Sequence, residues 1–156
     1  MAIAAMVLCI IAAILFLFKE TLFGTPMTLS LVDADTGERY ASYPVDEKSE
    51  FSVRFLHSVN KSEVCETYSI SEGKIYVESC EYAAFGAGVA TQVEQGQTLS
   101  YTQDGHMLIT GFHRYIPSLS YIVGTVYDHF LEIDGQQINL TELCGKNSTV
   151  RFVLVN

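Results

Sequence analysis

FSVRFLHSVNKSEVCETYSISEGKIYVESCEY, from Phe51 to Tyr82, decides the fold. Apolar and polar residues alternate along three runs, and a short polar turn separates each run from the next. Alternation with period two sends successive side chains to opposite faces of a strand, so each run has one apolar face. In the first run Phe51, Val53, Phe55, His57 and Val59 share that face, while Ser52, Arg54 and Ser58 share the other. The second run puts Val64, Glu66, Tyr68 and Ile70 together, and the third puts Ile75, Val77 and Ser79 together. Consecutive strands joined by tight turns pair antiparallel.

The same pattern extends outward. MTLSLVD and ERYASYP flank the turn Ala34-Asp35-Thr36-Gly37, QTLSYTQ and HMLIT flank Asp104-Gly105, and HFLEI and QQINL flank Asp134-Gly135. Asp-Gly between alternating runs is a strong hairpin signal, because both central residues of a type I′ turn need positive φ. TVRFVLV ends the chain, and RYIPSLSYIVGTV reads either as a loop and strand or as a short helix. The expected fold is all-β, an antiparallel β-sandwich or small barrel over residues 27–156, preceded by one N-terminal transmembrane helix.

That helix is read from Met1 to Phe18, a run without charge that Lys19-Glu20 closes. As a helix, 18 residues extend about 27 Å, enough to cross a thin hydrocarbon core. A cleaved signal needs a basic start and a small-x-small cleavage site, and neither is present. Residues 1–20 are therefore expected to form an uncleaved anchor rather than a signal segment. Residues 21–26 are expected to form a linker, and the anchor to hold the β domain at the cell membrane, although the flanking charges do not orient it.

Composition narrows the function classes. The chain has 156 residues, 18 acidic against nine basic, for a formal net charge of −9. No basic stripe is present, which argues against nucleic acid as a partner. Gly86-Ala87-Gly88 is not a dinucleotide fingerprint, because Thr91 takes the third glycine position and no strand–turn–helix unit surrounds it. The expectation there is a glycine bend at Gly86 and Gly88, and no cofactor is expected.

Strict two-residue turns fix the expected partners. A turn at Lys61-Ser62 sets His57 directly opposite Glu66 on an apolar face, where the two should hydrogen-bond to each other. A turn at Glu72-Gly73 sets Ser79 opposite Glu66, and Cys65 opposite Cys80 as a possible disulfide. The Asp134-Gly135 turn sets Leu131 opposite Ile138 and His129 opposite Leu140, so a second histidine faces the core. His57, Glu66, His129, Ser79 and Ser58 together form a candidate ligand-orienting or structural polar cluster. Two sharper readings use the same residues: a metal site of His57, Glu66 and His129, and a hydrolase set of His57, Glu66 and Ser79 or Ser58. No Gly-x-Ser-x-Gly elbow and no H-E-x-x-H pair supports either, so a non-catalytic role is favoured over an enzyme. His106 and His113 fall beside turns and are expected to face solvent.

His57-Ser58-Val59, Glu66, FGAG from Phe85 to Gly88, and HFLEIDGQQINL from His129 to Leu140 carry a resemblance. They resemble a prokaryotic family among the domains of unknown function, number eighteen-fifty. The resemblance implies a small protein with an N-terminal hydrophobic segment, encoded beside TRAP transporters of the TAXI class. It thereby implies a membrane-anchored, extracytoplasmic accessory or binding module of a solute transport system. The implied partners are the membrane and a TRAP membrane subunit or TAXI-type solute receptor.

Overall fold

A computed structural model describes residues 27–59, 61–83 and 93–155. The expected anchor, its linker and the glycine bend at Gly86 and Gly88 lie outside the described residues. Among the described residues no helix is long and apolar enough to cross a membrane.

The fold is nearly all β. Its strands are β1 (Met27–Asp33), β2 (Arg39–Val45), β3 (Glu50–Leu56), β4 (Glu63–Ser71), β5 (Lys74–Tyr82) and β6 (Thr98–Tyr101). They continue with β7 (Met107–Tyr115), β8 (Leu119–Ile122), β9 (His129–Ile133), β10 (Gln136–Asn139) and β11 (Thr149–Val155), and one short helix, α1 (Leu140–Cys144), precedes β11. Two antiparallel sheets result, one of order β2-β1-β11-β8 and one of order β10-β9-β3-β4-β5-β7-β6. The ambiguous stretch after Arg114 resolves into strand β8, with Pro117 just ahead of it. The helix was not expected; Asn139 caps it by accepting from the Thr141 and Glu142 amides, which ends β10 one residue short of Leu140.

Both sheets bury their apolar faces in one core, with Leu29, Leu31, Val53, Leu131 and Val150 wholly enclosed. Phe51 of β3 stacks on Phe152 of β11 at 5.6 Å between centroids, so the sheets meet face to face there. Each enclosed leucine or valine contributes roughly 1.5–3 kcal/mol of transfer free energy.

Register decides the site. Glu72 and Gly73 (φ 51° and 64°) and Asp134 and Gly135 (φ 49° and 70°) make the expected two-residue turns. Accordingly Ile70 stands opposite Ile75, and Leu131 opposite Ile138. The β3–β4 connection differs. The His57 amide donates to the Ser62 carbonyl and the Lys61 amide to the His57 carbonyl, each at 2.8 Å, which closes a longer loop. Neither Lys61 nor Ser62 is the glycine that a two-residue turn favours at a positive-φ position. Glu66 consequently stands opposite Val53, not His57, a slip of four residues along the strand. Because the slip is even, every side chain keeps its expected face.

A second departure is a β-bulge at Glu78. Tyr68 pairs with Val77, but Thr67 pairs with Ser79, leaving Glu78 as the extra residue. Beyond it the alternation inverts, so Cys80 stands opposite Glu66 and Ser79 turns to the other face. The bulge residue is held from outside, where the Glu78 carboxylate accepts from Ser69 Oγ (2.5 Å) and lies 2.8 Å from His113 Nδ1.

Candidate functional site

The polar centre of the inner face is Glu66 on β4. Its Oε2 accepts from the Tyr68 hydroxyl at 3.1 Å and from the Tyr121 hydroxyl, and the two hydroxyls lie 2.6 Å apart. Tyr68 shares the Glu66 strand, two residues on, whereas Tyr121 reaches across from β8 in the other sheet. A carboxylate taken from water is costly unless hydrogen-bonded, and these two donors meet that cost. Burial, reinforced by the Glu66 charge, pushes both tyrosines well above the ordinary phenol value. They therefore keep their protons and remain donors. Cys80, opposite Glu66, has its thiol pushed up to about 12, first by burial. A thiol so far from ionisation is a packing group, not a nucleophile.

The histidines sit elsewhere. Phe55 of β3 pairs with His129 of β9, and their rings stack at 5.0 Å with 14° between planes. Burial holds His129 below the ordinary histidine value, opposed by the Tyr127 backbone and the Asp128 charge. The neutral imidazole is thus favoured, and its Nδ1 is buried without a well-formed hydrogen bond. His57 follows β3, and its Nδ1 accepts from the Val59 amide at 3.3 Å. Both histidines, with Ser58, line one cleft of about 310 Å³ between the end of β3 and the β8–β9 connection.

The candidate residues therefore divide. His57, Ser58 and His129 come together on the cleft; Glu66 belongs to the tyrosine centre, and Ser79 faces away from it. The expected His57–Glu66 pair is corrected by the β3–β4 register, and the hydrolase set of His57, Glu66 and Ser79 falls with it. Among the described residues no three His, Cys, Asp or Glu side chains are grouped to hold a metal ion, so His57, Glu66 and His129 do not form the metal site weighed as an alternative. Cys65 and Cys80 are free thiols, because the Glu78 bulge sets Cys65 opposite Glu81 rather than Cys80.

Four partnerships are not among the expected ones. Tyr68 was legible, being on the face of Glu66 two residues away; Tyr121 lay in the one stretch whose element type was open. The other two are outer-face contacts from β5: Glu81 lies 2.7 Å from His106 Nδ1, and Glu78 lies 2.8 Å from His113 Nδ1. His113 is largely exposed, as expected, although it lies within β7 and not beside a turn; His106 is half-buried against Glu81 and does not face solvent as expected.

One family model, described as a domain of unknown function (DUF1850), matches residues 51–140. That span runs from the first core residue of β3 to the start of α1, and contains both the tyrosine centre and the cleft. No curated protein and no solved structure matches the chain.

Proposed function

We propose that this chain, which belongs to the DUF1850 family, is a non-catalytic accessory module that works by binding. In this reading Met1–Phe18 tethers it to the membrane, with the β domain outside the cytoplasm. It serves a TRAP-type solute transport system through its membrane subunit or a TAXI-type receptor. The observation that carries the non-catalytic part is the state of Glu66. A general acid or base must be free to exchange a proton with substrate, and this carboxylate is already engaged by two tyrosines that hold their protons. The transport role rests on the family resemblance and on the uncharged N-terminal run.

Topology adds support for a surface held clear of the tether. Thr28 pairs with Val155 at one end of β11, and Ile122 pairs with Thr149 at the other. The cleft thus lies about 20 Å along the strand direction from Met27, where the N-terminal segment joins. The test is affinity purification of the full-length protein from native membranes, with identification of what accompanies it. Recovery of a TRAP membrane subunit or TAXI-type receptor is the expected result. A processed protein starting near residue 24 in the soluble fraction, or a membrane fraction without transport components, contradicts the proposal.

A further inference from the structure

We propose that the cleft between the end of β3 and the β8–β9 connection binds a small uncharged molecule, with a single-ring apolar body and one hydroxyl-type hydrogen-bonding group. The inference deepens the reading of the chain as a binding module. Its volume of about 310 Å³ is at the lower end of the roughly 300–1,000 Å³ typical of ligand pockets, which suits one ring rather than a larger ligand. Phe55, Leu56, Ile122 and Val126 give it apolar walls. Ile122 and Val126 are 59% and 63% exposed, an apolar rim that a ligand would cover. His57, Ser58, Thr125 and His129 are the hydrogen-bonding side chains placed among those walls.

Charge selects against acids. Among the described residues no lysine or arginine lines the cleft, and the chain carries a net charge of −9. A carboxylate or phosphate would enter a negative field with no cation to receive it. His129 does not supply one, because burial favours its neutral form. Among the described residues no acidic side chain lines the cleft either, so they offer an ammonium group no counter-ion.

The walls are preformed. Val123 is fully buried and exchanges backbone hydrogen bonds with the 147–148 segment: its amide donates to Ser148 and its carbonyl accepts from Asn147. Gly124 lies against Thr141 so closely that an added Cβ would sit 2.5 Å from the threonine methyl. Below, Phe55 and His129 stack as a rigid floor. Such preorganisation lowers the ordering cost of binding.

The test is methyl NMR of the full-length protein in nanodiscs, titrated with 2-phenylethanol or with phenylacetate, two ligands with the same ring and opposite charge character. The expected result is saturable shifts at the Ile122 and Val126 methyls with 2-phenylethanol, at least tenfold weaker response to phenylacetate, and loss of the Ile122 shift in Val126→Asp. Val126 is exposed, and unchanged Leu131 and Val53 methyl signals report that this variant keeps its core. No saturable shift with 2-phenylethanol, equal response to phenylacetate, or an Ile122 shift that persists in Val126→Asp would each overturn the proposal. Copurification with transport components does not require the cleft to be filled, so the two proposals fail separately.

Discussion

The Tyr121 hydroxyl donates to the Glu66 carboxylate, joining β8 of the four-stranded sheet to β4 of the seven-stranded sheet by one charge-assisted hydrogen bond. Tyr68 completes the arrangement from the strand of Glu66 itself. A single acidic side chain thereby ties the two layers at a point otherwise packed with aromatic rings, including Phe55 and Phe152 against Tyr121. The cysteines, His129 and Gly124 each yield a prediction.

The cysteines give the first. With no bond between Cys65 and Cys80, denaturation without reductant should expose both to labelling, together with Cys144. In the native protein all three should react slowly at pH 8. Burial is the first cause in each case, pushing Cys144 to about 11 and Cys80 to about 12. Cys144, the less buried of the two, should label before Cys80. Mass spectrometry after timed alkylation checks the order, and a Cys65–Cys80 crosslinked peptide would refute the register.

His129 gives the second. Its folded value is depressed below 6.5 by burial, so the unfolded chain takes up the proton more readily. The resulting stability is fully present above about pH 6.5 and is lost as pH falls through the folded value. Urea unfolding at a series of pH values should show this decline, and His129→Phe, which keeps a ring on Phe55, should flatten it. An unchanged slope in the variant would remove His129 as its source.

Gly124 gives the third. At φ 66° and with Thr141 against it, Gly124→Ala should destabilise by roughly 1–3 kcal/mol. Adding Thr141→Ser removes the methyl that clashes and should recover part of the loss, leaving the cost of the backbone conformation and of the hydroxyl, which the added Cβ would meet at 2.9 Å. If the serine change recovers nothing, the cleft wall is not fixed by this contact.

The sequence was most legible where a turn has strict backbone demands. Asp134-Gly135 and Glu72-Gly73 both adopt paired positive φ, and the pairing nearest to each follows from alternation alone. It failed where the turn had no such residue. Lys61 takes positive φ within a longer loop, and moving the loop by two residues moved the partner of Glu66 by four. The Glu78 bulge was illegible for a different reason. Any residue type can be the extra one, and what holds Glu78 out is a contact with His113, 35 residues away. Faces therefore survived better than partners. Glu66 did point inward and did need a hydrogen-bonding partner, but a tyrosine from β8 supplied it. No local pattern announces a contact 55 residues away.

The central claim, that Glu66 is committed to its tyrosines and does not serve His57, is tested most directly by two double-mutant cycles measured by equilibrium unfolding. Tyr121→Phe alone should cost roughly 1.5–3 kcal/mol, as expected for a hydrogen bond to a charged group. Combined with Glu66→Ala it should cost clearly less than the sum of the single changes, because the acceptor has already gone. His57→Ala combined with Glu66→Ala should be additive within about 0.5 kcal/mol, since the two stand four residues out of register. Coupling in the His57 cycle with additivity in the Tyr121 cycle would contradict the account and return Glu66 to the histidine.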